Sequence, residues 1–311
     1  MSTQNKPTLE STLKSRDTEE FIDIYIYRPM GYWWALLFHK IGVTPNQITI
    51  ASIFIGIASG ICFYFTDFWI NLLGVFLLIW ANTYDSADGQ LARMTNQKSA
   101  LGRILDGACG DFWFASIYIA IVFRLWPEWN FWILILALFT GYCHTKQAAM
   151  ADYYRNIHLL FLKGKNGSEL DNSKDLAEKY ELISWKNPVV KFFEFMYLNY
   201  TKRQEAETPE LQRMLNVINT KYKGEAPSWF CKYFRKKSLP LLKYTNMLSF
   251  NLRSIVLFTS VLLGYPWVYF VFEITIMNAM LIYMVERYEH ICYKFRGGLE
   301  HEDDAIFNLN K

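Results

Sequence analysis

The sequence predicts an all-α, polytopic membrane protein with six transmembrane helices, an N-terminal interfacial helix and a cytoplasmic helical insertion. Three observations predict it. Apolar stretches recur at 44–65, 70–81, 112–123, 131–142, 241–264 and 266–283, separated by short polar turns or by one long polar segment. Hydrophobic residues make up 52% and aromatic residues 18% of the 311-residue chain, high for a soluble protein. The mean hydropathy of +0.05 conceals this because the polar segments dilute the apolar ones. Lastly, Lys and Arg fall almost entirely on one side of the alternating turns.

Residues 1–20 are polar and contain no apolar run of signal-peptide length, so no cleaved leader is expected. From Phe21 to Lys40, Tyr25, Trp33, Trp34 and Phe38 mix with Asp23, Arg28 and His39, which suits a helix lying in the interface, broken at Pro29 and Gly31. Thr44-Pro45-Asn46 opens a run to Phe65 that, at about 20 residues, is long enough to cross a bilayer core. Asp67 and Trp69 mark an outer turn, and Ile70–Ala81 continues helically through Asn82 and Tyr84. Phe112–Phe123 is the third segment; Arg124–Asn130 is a turn rich in interfacial Trp, and Phe131–Tyr142 the fourth. Residues 151–240 form a non-spanning insertion with a Gly-, Asn- and Ser-rich loop at 163–172 and an aromatic patch at Phe192, Phe193, Phe195, Met196 and Tyr197. Leu241–Gly264 and Pro266–Tyr283 are the fifth and sixth spans, and the tail from Gly297 is polar. The chain therefore divides into a tail (1–20), an interfacial helix with spans one to four (21–150), the insertion (151–240), spans five and six (241–290) and a second tail (291–311).

With Lys40 inside, the outer turns 66–69, 124–130 and 264–266 hold one basic residue, Arg124. Both termini are then cytoplasmic, and the expected location is a bacterial inner membrane. Net charge of +3 gives no reason to expect a nucleic-acid partner. Five scattered cysteines lack zinc or disulfide spacing and read as reduced, buried small residues.

Between spans two and three lie four carboxylates, Asp85, Asp88, Asp106 and Asp111. Carboxylates at the ends of membrane segments are costly and mark function. At about 100° per residue, Asp85 and Asp88 stand about 60° apart on one helix face. Asp106 begins the next helix, so three carboxylates can converge, and they cannot all stay ionised without a cation between them. A hard divalent ion such as Mg²⁺ or Mn²⁺ answers this and often bridges phosphates. Gly89 and Gly102 leave room beside the backbone, and Arg93 offers a fork for phosphate.

The pattern Asp85-x-x-Asp88-Gly89-x-x-Ala92-Arg93, eight residues, Gly102-x-x-x-Asp106 resembles the signature of the CDP-alcohol phosphotransferases, membrane enzymes that exchange CMP for an alcohol. Thr44-Pro45-Asn46-x-x-Thr49 is similar to the opening of that family's first helix, so the resemblance covers about residues 28–150. It implies two divalent metals held by Asp85, Asp88, Asp106 and Asp111. It also implies donor contacts from Asn46, Asp85, Gly89, Ala92, Arg93 and Gly102, and a homodimer. The family's last Asp, a metal ligand and the catalytic base, comes four residues after Asp106; here Gly110 stands there and the Asp is Asp111. A π-bulge within 107–110 is expected to restore Asp111 to the metal face. The rival reading is that Asp111 is not the base.

Arg253, inside span five, is read as a further phosphate contact. Lys146 and Arg155 are read as topological charges, His144 as structural, Glu273 and Asn278 as interhelical partners, and Arg235-Lys236-Lys237 as a headgroup contact. Arg253 and the basic entrance favour a CDP-diacylglycerol donor with a polar acceptor such as inositol phosphate or glycerol phosphate. The alternative is a CDP-choline or CDP-ethanolamine donor with a diacylglycerol or ceramide acceptor. An ion pathway and an inactive scaffold are the readings from other classes.

Overall fold

Thr44 starts the first membrane-length helix with a capping box: Gln47 Oε1 accepts from the Thr44 backbone N–H at 2.9 Å, and Pro45 occupies the first turn, where no donor is needed. In this computed structural model, which describes residues 9, 15–97, 100–164, 167, 168 and 170–301, the helix runs Pro45–Tyr64 (α2). It follows α1 (Arg28–Ile41) and precedes α3 (Phe68–Thr95), α4 (Ala100–Trp129) and α5 (Phe131–Lys163). Next come α6 (Ser173–Leu182), α7 (Pro188–Ala206), α8 (Pro209–Lys221), α9 (Ser228–Ser238), α10 (Leu242–Met247), α11 (Phe250–Leu262), α12 (Trp267–Phe272) and α13 (Asn278–His301). Among the described residues there is no strand. Three helical stretches among the described residues, Pro45–Tyr64, Gly107–Trp129 and Trp267–Glu300, are long and apolar enough to cross a membrane.

The chain forms two compact units. The first comprises Met1–His144 and Asn251–Ile274. Its centre is α2, whose buried face reads Ile48, Thr49, Ser52, Gly56, Ser59, Gly60 and Phe63, a stripe of small residues that lets neighbouring backbones approach. Ser59 Oγ donates to Gly74 O of α3 at 2.7 Å, Ser116 Oγ of α4 to Ile57 O at 3.0 Å, and Trp113 Nε1 to Ser52 O at 3.0 Å. A methyl group on Gly56 would overlap the Trp113 indole. Gly56→Ala is therefore expected to destabilise the protein by about 1–3 kcal/mol, read as a lower unfolding temperature in detergent.

Pro29 and Gly31 do not break the first helix, contrary to expectation. A π turn at Asp23–Tyr27 precedes α1, relaxing the turn in which Pro29 has no N–H to give. Gly31 instead permits close approach, since a Cβ there would lie 2.9 Å from Ser86 Oγ of α3. Gln90 Nε2 donates to Arg28 O at 3.0 Å, and Arg28 pairs with Glu19 at 2.9 Å. α1 is thus clamped onto the segment of α3 that carries the carboxylates. The turn expected at 124–130 is also different: α4 continues to Trp129, and Arg124 Nη1 donates to Phe63 O at 3.2 Å.

The second unit comprises Thr145–Phe250 and Thr275–Lys311, so α5 runs unbroken across the expected boundary at 150/151. Its core stacks Tyr154 on Tyr288 at 4.0 Å and gathers Phe161, Phe230, Phe234 and Phe295. Glu289 accepts from the backbone N–H groups of Glu210 (2.7 Å) and Leu211 (3.3 Å), serving the N-terminus of α8. The fifth span expected at 241–264 is not one helix. It is a 3₁₀ turn (Leu239–Leu241), α10 and α11, interrupted at Leu248–Ser249. The polar groups at the break are engaged, Ser249 Oγ accepting from Arg155 Nη2 at 2.7 Å. Residues 302–311 of the expected C-terminal tail, and most of 1–14, lie outside the described residues.

Candidate active site

Asp88 is 3% exposed on α3, an acid that only a partner or a cation makes tolerable at that depth. Thr49 of α2 supplies one contact: its Oγ1 lies 2.5 Å from Asp88 Oδ2 and 3.1 Å from Pro45 O. One hydroxyl proton serves two acceptors, and the carboxylate is the nearer. The capping box fixes where α2 begins, and so places Thr49, one turn in, against α3.

Asp85 is half-buried one turn earlier, and the buried Cys109 thiol of α4, 3.0 Å from Ser52 Oγ of α2, lies within electrostatic reach of both carboxylates. Three helices therefore meet at the two carboxylates. Asp106 lies three residues before Cys109 on α4, about 60° round the helix; its side chain is outside the described residues. At Gly89 the Arg93 guanidinium lies beside the position a side chain would take: Nη1 is 3.4 Å from where a Cβ would stand. Asn46, Ala92 and Gly102 are half-buried. Among the described residues, which exclude the Asp106 side chain, no three His, Cys, Asp or Glu groups are close enough to hold a metal. Asp85 and Asp88 are hard oxygen donors on one face, backed by a hydroxyl, and so fit a divalent cation.

Asp111 is placed otherwise. α4 is regular α-helix through 107–111, so the expected bulge is absent, and the π turns lie at Asp23–Tyr27 and Glu273–Met277. Asp111 then points about 140° from Asp106, and it is exposed. The physical reason lies in the packing. A Cβ at Gly107 or Gly110 would touch nothing within 4 Å, whereas Cys109 and Trp113, one turn apart and buried, hold the α register against α2.

Arg253 is also placed elsewhere. It is 1% exposed, its Nη1 lies 2.7 and 2.6 Å from the two Glu273 carboxylate oxygens, and it donates to His144 Nδ1 at 2.7 Å. Tyr269 donates to Glu273 Oε1 at 2.7 Å, and Tyr118 OH lies 3.1 Å from His144 Nδ1. Because Arg can only donate, His144 Nδ1 is the acceptor and the ring is the Nε2–H tautomer. This cluster touches α4 at Tyr118, nine residues or about 14 Å along the helix from Cys109. Arg253 is thus bound to a counter-ion instead of being presented to a phosphate. Lys146 pairs with Glu207 at 2.5 Å.

Sequence reasoning missed Thr49 and Cys109 as neighbours of the carboxylates. Thr49 stood within the quoted opening of span one, and Cys109 stood three residues from Asp106, but neither spacing names its partner on another helix.

A comparison with protein families matches residues 42–157 to CDP-alcohol phosphatidyltransferase. Similar relatives include cholinephosphotransferase 1 of Mus musculus, 30% identical over 125 residues (36% of this chain, 31% of the relative), and of Homo sapiens, 29% identical over the same length and shares. The bifunctional IPC transferase and DIPP synthase of Aquifex aeolicus is 29% identical over 98 residues, 32% of this chain and 22% of that protein. The chain thus spans about a third or less of the length of the curated relatives it matches, and no solved structure matches it. The matched region, residues 42–157, contains the Asp85–Asp106 signature and the Thr49–Asp88 contact, and over that stretch the chain is similar to the CDP-alcohol phosphatidyltransferase family.

Proposed function

We propose that the protein is a membrane transferase that moves a substituted phosphate group from a CDP-linked donor to an alcohol hydroxyl, releasing CMP. The observation that carries this is the buried Asp88 carboxylate, held by Thr49 beside Asp85 at the signature positions. Asp85, Asp88 and Asp106 would hold two Mg²⁺ or Mn²⁺ ions, which when bound neutralise the diphosphate and polarise the phosphorus under attack. Arg93 clamps a phosphate oxygen over Gly89, and Gly102, Ala92 and Asn46 leave the donor room. Thr49 orients Asp88. The catalytic work is positioning and charge neutralisation. Asp111, exposed on a regular helix, is left outside this set.

The reading that the protein has six spans, with the site and both termini on the cytoplasmic side of a bacterial inner membrane, rests on the distribution of Lys and Arg. Dimerisation is proposed from the family alone. A CDP-diacylglycerol donor is compatible with the family, although the Arg253–Glu273 pair removes one of its two supports. The names of the cholinephosphotransferase relatives favour the second assignment, a CDP-choline or CDP-ethanolamine donor with a diacylglycerol acceptor.

The test is CMP release by reconstituted protein given Mn²⁺ or Mg²⁺ and each donor–acceptor pair in turn. Activity with one pair, abolished by chelation, is expected; no CMP from any pair overturns the proposal. Thr49→Val is expected to lower the rate about 10- to 100-fold, as loss of a group that orients a metal ligand does, with a higher metal concentration needed for half-maximal rate.

A further inference from the structure

Helix α7 is built inside out. Lys191, Glu194, Leu198, Thr201 and Gln204 are buried, all within 8% exposure, so its polar side faces protein. These groups are satisfied there: Lys191 Nζ donates to Ile183 O at 2.8 Å and lies over the Tyr180 and Trp185 rings, Glu194 pairs with Lys179 at 2.5 Å, and Gln204 donates to Ala149 O at 2.8 Å. The opposite face carries Phe192, Phe195 and Met196, 58%, 48% and 53% exposed, within an arc of about 100°. Trp185 (73%) and Leu182 (87%) extend it at the α6–α7 turn. A helix in water arranges its faces the other way.

We propose that the α6–α7 hairpin is a membrane-surface anchor. Phe192, Phe195 and Met196, with Trp185 and Leu182, insert at the boundary of headgroups and acyl chains, and exposed Lys186, Lys202 and Arg203 contact lipid phosphates. The charges bordering the aromatic face of α7 itself are basic, Lys186 beside Trp185 and Lys202 and Arg203 beyond Met196, and anionic headgroups complement them, whereas the exposed acids Glu178 and Glu181 lie on α6. The bilayer is also always at hand, because the chain carries its own membrane-length helices, so association is intramolecular and a small patch suffices. The partner is thus a lipid surface, and the inference does not depend on the transfer reaction.

The test is photocrosslinking of the full-length protein in vesicles, with p-benzoylphenylalanine placed in turn at 192, 195, 54 on the lipid-length helix α2, and 178 on the charged surface of α6. Lipid adducts at 192 and 195 are expected within about threefold of those at 54 and about tenfold above those at 178. Adding roughly a third of phosphatidylglycerol to phosphatidylcholine is expected to raise the yield at 192 about twofold. Lipid adducts at 54 without any at 192 and 195 overturn the proposal. So do covalent dimers of this chain at 192 and 195, and yields at 178 equal to theirs.

Discussion

Asp88→Asn is expected to lower CMP release by about 10³-fold or more, the scale on which losing a charge-stabilising group at a reacting centre acts. The substitution keeps the shape of the side chain, and an amide oxygen can still accept from Thr49, so the fold is retained while the negative charge at a 3%-exposed position is lost. The two carboxylates share a helix face, so a cation loses half of its nearby charge from α3. The measurement is CMP release with Mn²⁺ and the active donor–acceptor pair, alongside the unfolding temperature. A rate near wild type in a well-folded variant would remove the carboxylate set from the mechanism. Asp111→Asn serves as the internal contrast, expected to keep at least about a third of the activity because the group lies about 140° round α4 from Asp106. A loss matching that of Asp88→Asn would restore Asp111 as the base.

The second large effect is on stability. Glu273→Gln leaves the Arg253 guanidinium, 1% exposed, without its counter-ion, a change expected to cost about 3–5 kcal/mol. His144 cannot replace it, since its Nδ1 offers one lone pair and no charge. Removing both charges should be far milder: Arg253→Met combined with Glu273→Met leaves no buried ion and is expected to recover most of the loss. Unfolding temperatures of Arg253→Met, Glu273→Met and the double variant, measured in one detergent, close the cycle. If the double variant is as unstable as the sum of the singles, the ion pair is not what holds this cluster.

The two clusters differ in how far the sequence could have announced them. Asp85 and Asp88 on one face follow from the angle per residue alone, and the Thr44–Gln47 capping box that starts α2 is a pattern four residues long. Both are local; α3 is helical through Asp85 and Asp88, and the capping box, though not read from the sequence, lies within four adjacent residues. The expected bulge at 107–110 was also a local argument, based on glycine permissiveness, and it failed because permissiveness allows a distortion without driving one. The π turns occur instead beside Pro29 and at Glu273, the latter the counter-ion of Arg253.

What the sequence alone determined was thus the helical class and the spacing of the carboxylates, because each is set by a handful of adjacent residues and a fixed helical period. Only the tertiary structure decided that Thr49 holds Asp88, that Cys109 meets Ser52, and that Arg253 belongs to Glu273. It likewise decided which side of α7 is buried, against the usual rule for its polar and apolar faces. The reason is the same in each case: a helical pattern fixes the direction in which a side chain leaves its own axis, whereas its partner depends on which other helix packs there.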